Sequence, residues 1–390
     1  MKKIIYFDNA ATTPVAKEVL NAMLPWYTER FGNPSSIFYS IGSEAKEAMD
    51  KARAQVAKAI GCQDNEVFFT GCGSEADNWA IKGTAYKMKK AGKTHLITSC
   101  IEHHAVLHSM KALENEGFTV TYLPVDEQGF VSPKDVEKAL CPQTGLVTIM
   151  YANNEIGTLQ PIREIGAICR KAGVWFHTDA VQAVGAVPID VKADNIDMLS
   201  LSAHKFNGPK GVGALYLRRG ISPYNFMDGG AQERGRRAGT ENVAGIVGLG
   251  EAIERATAGL ADKTAHVRGL RDLLFARIAD IPQIKLNGAA DMDKRLPNNL
   301  NISFPAAEGE SLLLFLDAKG ICASSGSACA SGSLDPSHVL LSIGLPHEQA
   351  HCSLRFSLGV QNTSEEVHFV ADALVDIVAK VRSRSPLWQE

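Results

Sequence analysis

The sequence predicts an α/β protein built on a largely parallel sheet. Short apolar runs of strand length alternate with stretches of helical periodicity between Glu66 and Leu217, the βαβα pattern that places helical crossovers between parallel strands. Several of those runs end on glycine or a polar residue just before the next helix, as at Thr70-Gly71, Thr178-Asp179 and Ser202-Ala203-His204-Lys205. Around Gly259 the pattern changes to longer helices with fewer strands, which sets a domain boundary near residue 260.

In chain order, Ile4 to Pro14 reads as a short strand and a turn, and helical periodicity runs from Glu18 to Arg30. Phe31 to Ser36 is a loop, because Asn33-Pro34 and the paired serines favour turns, and Ser43 is the expected cap of a helix running toward Gly61. Glu66 to Thr70 is a strand that breaks into Gly71-Cys-Gly-Ser74 before a helix carrying Trp79 and Ile81. A strand, a glycine turn and a helix start together offer free N–H groups and the positive end of the helix dipole to an anion. There follow a strand His95–Ser99, a helix after Glu102, a strand Thr119–Leu123, a helix opened by Ser132-Pro133, a strand Gly145–Met150 and a helix through Arg170. The strand Val174–Thr178 ends at Asp179, and Met198–Ser202 and Gly213–Leu217 are the next strands. Beyond the boundary come a helix Thr264–Ile278, a strand Leu300–Phe304, a helix Glu308–Lys319 and a small-residue loop, Cys322 to Ser333. The expected division is a large domain over 15–260 and a smaller one made of 1–14 with 261–390, the latter carrying the loop at about 322–336.

Composition narrows the function. The 390 residues are 45% hydrophobic, enough for a sizeable core, and the formal net charge of −3 gives no electrostatic footprint for nucleic acid. No apolar run approaches the ~18 residues that cross a membrane, and an acidic residue, Asp8, comes too early for a signal peptide, so a cytoplasmic protein is expected. Eight cysteines without CxxC pairs suit a reducing compartment, with one or two of them open to chemistry.

Two motifs are decoys. His347-Glu-Gln-Ala-His351 matches the zinc-binding HExxH pattern, but Gly344-Leu-Pro346 prevents a continuous helix upstream and Ser353–Ser357 alternates like a strand, so a short exposed helix is expected. Ala91-Gly-Lys-Thr94 resembles the end of a P-loop, yet Lys87 stands where its first glycine would be. The stronger set is the anion-binding turn Gly71–Ser74, Asp179 at a strand end, and Lys205 at the end of a later strand. Pyridoxal phosphate needs a phosphate cradle, a carboxylate against its pyridine nitrogen and a lysine for a Schiff base.

These residues lie within a longer series of matches: Tyr6–Pro14, Gly32–Ser36, Glu102–Val106, Asn153–Gly157, His177–Gln182, Ser202–Lys205, Arg236–Asn242, Ser324–Cys329 and Leu354–Ser357. Together they resemble the cysteine desulfurases of the NifS/IscS type, within the class V aminotransferases. The resemblance implies the fold-type I architecture of pyridoxal phosphate enzymes, with a mostly parallel seven-stranded sheet flanked by helices and a smaller α+β C-terminal domain. It implies that Lys205 carries the cofactor, that Asp179 pairs with the pyridine nitrogen, that Gln182 bonds the phenolic oxygen, and that His103 stacks on the ring as an acid or base. Gly73, Ser74, Ser202 and His204 would hold the phosphate with Thr240 of the second subunit of a homodimer, Asn154 would lie beside cofactor and substrate, and Arg355 and Asn33 would grip the substrate carboxylate.

Sulfur leaving L-cysteine would be collected as a persulfide on Cys329, whose Ser/Gly/Ala surroundings leave its thiol accessible. The length of its loop resembles the group that hands sulfur to an iron–sulfur scaffold or another acceptor protein. No resident metal is implied, although Cys329 could serve as a transient iron–sulfur cluster ligand. Cys322 is expected to finish a strand and be buried, and His104 to be a solvated or packing residue. Cys72, in the phosphate turn, and Cys352, near Arg355, have packing roles on this reading. The alternatives are a selenocysteine lyase or another class V aminotransferase and, from a different class, a zinc hydrolase using His347 and His351.

Overall fold

The computed structural model describes residues 4–325 and 335–388. Its strands are β1 (Ile5–Tyr6), β2 (Val67–Thr70), β3 (His95–Ser99), β4 (Thr119–Leu123), β5 (Thr144–Thr148), β6 (Trp175–Asp179), β7 (Met198–Ser202), β8 (Gly213–Leu217), β9 (Lys285–Leu286), β10 (Asn299–Ser303), β11 (Ile321–Cys322) and β12 (Ser353–Ser357). Seven of them form the main sheet in the order β2-β8-β7-β6-β5-β3-β4. All neighbours are parallel except those of β8, which runs antiparallel to both β2 and β7. The sheet is the α/β arrangement expected from the alternating pattern, and its inner strands are buried on both faces.

Helices cover each face. Val19, Met49, Val56, Ile60, Ile165, Ile246 and Leu249 pack on one side, and Ala76, Trp79, Ile81, Val106, Met110 and Leu113 pack on the other. A further apolar cluster joins Ile5 and Phe7 to Leu274, Ile302, Leu316, Phe356 and Leu374, around the small sheet β12-β10-β9 and the pair β1-β11. A fourth group, Ile101, Met150 and Ile156 with Val339, Leu340 and Leu345, lies where the segment after residue 335 meets the ends of the central strands.

Several element boundaries differ from the sequence reading. The helix toward Gly61 starts at Ser40, with extended Tyr39 before it, so Ser43 is inside the first turn and donates its N–H to the Tyr39 carbonyl. Packing sets that start: a side chain at Gly42 would meet the Ser36 carbonyl oxygen at 2.1 Å, so this turn lies directly on the 33–36 loop. The periodicity from Glu18 to Arg30 is divided into Lys17–Met23 and Pro25–Thr28, because Pro25 has no N–H to continue the ladder. Cys322 ends β11 but is only partly buried. His347–His351 is a five-residue helix with both histidines exposed, and among the described residues no group of His, Cys, Asp and Glu is placed to hold a metal ion.

Candidate functional site

The C-terminal ends of the parallel strands open onto a cavity of about 430 Å³, the place where open α/β sheets leave a crevice for ligands. β7 ends at Ser202, and the single turn Ala203–Lys205 that follows turns Lys205 into this cavity. Its Nζ donates to the carbonyls of Ala10, at 2.5 Å, and Ala11, at 2.9 Å. Asp179 closes β6 on the floor of the same cavity, where its Oδ1 accepts the Val181 N–H at 2.9 Å. Burial holds the Asp179 carboxyl above the usual carboxylate range, and His103, the Val181 N–H and Lys205 partly offset this. Gln182 lies one turn on and donates from Nε2 to the Ala10 carbonyl, 2.9 Å away.

The Gly71–Ser74 turn enters from the other side. It follows β2 and opens the helix Gly73–Lys89, whose first N–H groups have no carbonyl one turn back to accept them. Gly73 is required by space, since a Cβ there would stand 2.8 Å from Val181 Cγ2 and 3.4 Å from Ser202 Cβ. Ser74, Ser202 and His204 line the cavity beside this turn. His204 bonds Thr12 Oγ1 through Nδ1 at 3.1 Å, and burial, with Lys205 and Lys210 nearby, pushes its pKa down to about 4. A neutral His204 therefore faces the cavity at neutral pH, as a hydrogen-bonding group and not as a charge.

His103 caps the helix His104–Asn115, accepting the Ala105 N–H at Nδ1, and its ring forms part of the cavity wall. Arg355, on β12 and 1% exposed, brings a guanidinium in from the other core; Nη2 donates to Asp8 at 2.8 Å and Nη1 to the Asn154 carbonyl at 3.0 Å. Asn33 and Thr240 are not among the lining residues of a single chain. Both are exposed, and Asn33 Oδ1 accepts the Ser35 N–H, shaping its own turn. Cys329 lies outside the described residues, as does most of the loop that carries it.

The structure adds residues that motif reading passed over. Asp77, Glu102, Glu155, His104 and His338 all line the cavity. His104 takes the packing role of the two expected for it, half-buried in the wall with its ring centroid 5.0 Å from that of His338. His338 in turn reaches the Glu102 carbonyl at 3.0 Å. Asp77 has no motif signal, since its position on the second turn of the helix Gly73–Lys89 matters only once that helix packs beside Asp179. Burial, followed by the Asp179 charge, holds Asp77 well above the usual carboxylate range. For Glu102 the available signal was a charged residue directly after the apolar Ile101 at a strand end.

Glu102 supports a prediction. Its carboxylate accepts Ser99 Oγ at 2.6 Å and the Met150 N–H at 3.0 Å, yet full burial pushes its pKa up to about 8. An acid whose folded pKa is raised contributes stability that is present below the unfolded carboxylate value, ~4.3, and is lost as pH rises through the folded value. Stability of the ligand-free protein is therefore expected to fall as pH rises from ~4.3 toward 8, and Glu102→Gln to flatten that slope. Urea midpoints at pH 5 and pH 8 measure it; an unchanged slope in the variant would assign the effect to other groups.

Comparison with known proteins agrees with this geometry. The family model for class-V aminotransferases matches residues 5–370. A protein from Clostridium botulinum named cysteine desulfurase IscS is 58% identical over 391 residues, covering 100% of this chain and 98% of its own length. A solved NifS-like protein superposes with a TM-score of 0.91 at 39% identity, covering 97% of this chain and 100% of the other. A structure titled SspA in complex with cysteine superposes with a TM-score of 0.80 at 40% identity, covering 92% and 100%. The strand-end lysine and aspartate, the glycine turn and the full-length matches lead to one conclusion: the chain belongs to the class-V aminotransferase family, among the cysteine desulfurases.

Proposed function

We propose that the strand-end cavity binds pyridoxal phosphate and removes sulfur from L-cysteine, leaving alanine and a persulfide on Cys329. The observation that carries this reading is the convergence of Lys205, Asp179, His103 and Arg355 on one cavity with the open Gly73–Ser74 turn. The residues fit the cofactor. The cradle at Gly73 is a space that a Cβ would fill, and the turn offers N–H groups to a phosphate. Burial disfavours the charged forms of Asp77, Glu102 and Asp179, and a protonated ring nitrogen beside Asp179 would offset that cost for its carboxylate.

Lys205 would hold the cofactor covalently, Asp179 its ring nitrogen, Gln182 its phenolic oxygen and His103 the face of its ring. Gly73, Ser74, Ser202 and His204 would hold its phosphate, with Thr240 of a second copy. Bound there, pyridoxal phosphate supplies a carbonyl that links to the substrate amine and a ring that accepts electron density from the substrate Cα. The chain's own groups do the rest. Arg355 presents a planar fork to the substrate carboxylate, assisted by Asn154 and by Asn33 of the partner copy. Lys205 Nζ, once released, takes the Cα proton, and His103 is placed for proton transfer beside it. The Cys329 thiolate attacks the substrate sulfur; the S–S bond forms as the substrate C–S bond breaks, its electron pair stays on carbon, Cβ is protonated, and the proton held by Lys205 returns to Cα to give alanine. The sulfur then passes to an acceptor, an iron–sulfur scaffold or another sulfur-accepting protein.

A homodimer accounts for the exposed positions of Asn33 and Thr240. Phe31, Ile37 and Phe38 support it, being 69%, 69% and 94% exposed next to Asn33. The division into 15–260 and 1–14 with 261–390 is supported by the separate apolar cluster that unites Ile5 and Phe7 with the C-terminal elements. A cytoplasmic location is supported by the cysteines spread through the chain, seven of which are unbridged among the described residues. No helix among the described residues is long and apolar enough to cross a membrane.

The test is a titration of purified protein with pyridoxal phosphate, followed by measurement of alanine from L-cysteine and from L-selenocysteine. Alanine from L-cysteine in the presence of a thiol reductant is the expected product. Release from selenocysteine alone would replace this reading with a selenocysteine lyase.

A further inference from the structure

The Gly71–Ser74 turn is held from outside the cavity by a residue far along the chain. Glu75 accepts the Gly71 N–H at Oε2, 2.8 Å away, and its two oxygens receive Arg237 in a two-pronged pair, Nε to Oε1 at 2.8 Å and Nη2 to Oε2 at 3.0 Å. Exposed ion pairs of this kind usually contribute little. This one differs in burial and geometry: the side chains are 19% and 14% exposed, both prongs are formed, and the carboxylate is also the acceptor for the turn itself.

Arg237 belongs to a segment strapped across the edge of the main sheet, where β2 is the end strand. The segment is anchored a second time by Glu233, which takes both Arg53 nitrogens at 2.8 Å and the Phe69 N–H at 2.9 Å. Arg234 donates to the Val67 carbonyl at 2.7 Å. Glu233 and Arg234 sit at φ of 45° and 59°, a left-handed backbone that non-glycine residues seldom adopt and that these anchors hold in place. Both anchors grip the same unit: β2, the glycine turn and the start of its helix. Three residues beyond Arg237 lies Thr240.

We propose that Glu75 and Arg237 are positioning residues for the cofactor's phosphate: from outside the cavity they hold the Gly71–Ser74 turn in the shape that presents its N–H groups to a phosphate, and they tie that turn to the segment bearing Thr240. This rests on the cofactor reading above. Neither side chain lines the cavity. Their effect therefore passes through the turn and falls on the phosphate, not on the ring.

The experiment compares two ligands that differ only in the phosphate. Apoprotein is titrated with pyridoxal phosphate and with pyridoxal, for the wild type, Arg237→Gln and Arg237→Lys, and folding of each is checked by circular dichroism. Arg237→Gln is expected to weaken pyridoxal phosphate about tenfold while pyridoxal stays within about twofold, the effect of losing a charge-assisted pair that acts only on the anion site. Arg237→Lys keeps the charge but cannot form both prongs, so it should show the same selective loss at smaller size; it decides the matter if the glutamine variant does not fold. Equal losses for both ligands, or no loss for either, would overturn the proposal. Equal affinities of the wild type for the two ligands would instead overturn the cofactor reading itself, and this inference with it.

Discussion

Replacing Lys205 with alanine is expected to abolish alanine release from L-cysteine, by a factor on the order of 10⁴ or more, because on the proposed reading one side chain would both anchor the cofactor and move the Cα proton. The position is set by the fold. β7 is buried along its whole length and delivers its last residues rigidly to the cavity, and the short turn after Ser202 leaves Nζ beside the Ala10 and Ala11 carbonyls. Borohydride reduction of the loaded protein followed by peptide mass analysis checks the assignment directly. The peptide containing Lys205 should gain the mass of the reduced cofactor, and the alanine variant should show no such gain anywhere. A labelled peptide containing Lys210, in the loop between this turn and β8, would move the role to that residue.

Replacing Cys329 with serine should separate sulfur transfer from cofactor binding. The variant is expected to bind pyridoxal phosphate as the wild type does, yet to lose persulfide formation and sulfide release by a factor on the order of 10³ or more, since a hydroxyl cannot stand in as nucleophile toward sulfur. Radiolabelled or mass-tagged sulfur from L-cysteine should appear on the peptide holding Cys329 in the wild type and be absent from the variant. Label on the Cys72 or Cys352 peptide would reassign the acceptor. Cys72 is exposed and lines the cavity, against the packing role expected of it, with its sulfur accepting the Glu75 N–H at a helix start, so its peptide is the sharper control; burial pushes the Cys352 thiol pKa up, which lowers its thiolate fraction.

The parts of the site that could be read from the residues are those fixed by local rules. Lys205, Asp179 and the Gly73–Ser74 turn each sit at the end of a strand, and a strand end in a parallel sheet points to one side of the molecule whatever else the chain does. Their convergence therefore follows from the alternating pattern alone. Glu102, Glu155 and His338 were not legible in this way. Glu155 acquires its role in the cavity wall through a hydrogen bond from Ser337, 182 residues distant, and His338 through the Glu102 carbonyl, 236 residues distant. No periodicity or short motif records such a contact. For His104 the sequence left solvation and packing open, and the contact with His338, 234 residues on (338 minus 104), decides for packing.

Caps and boundaries show the same division on a smaller scale. Ser132-Pro133 opens its helix because a serine oxygen and a preset φ act within one turn, and Ser132 does accept the Asp135 N–H there. Ser43 carries the same local signal but is overruled, because Gly42 allows the helix to start earlier against the 33–36 loop.

The amino-acid pattern alone settles the class of fold, the order of its elements and the strand ends from which chemistry can be done, because hydrophobic period and turn residues act over a few positions. Long-range packing settles which buried carboxyls surround the cavity, how Arg355, paired with Asp8 of its own core, crosses to reach Asn154, and how Arg237 comes to pair with Glu75, 162 positions away. Those features depend on which surfaces meet when the chain closes. Burial then shifts proton affinities such as that of Glu102 in ways that no isolated segment would show.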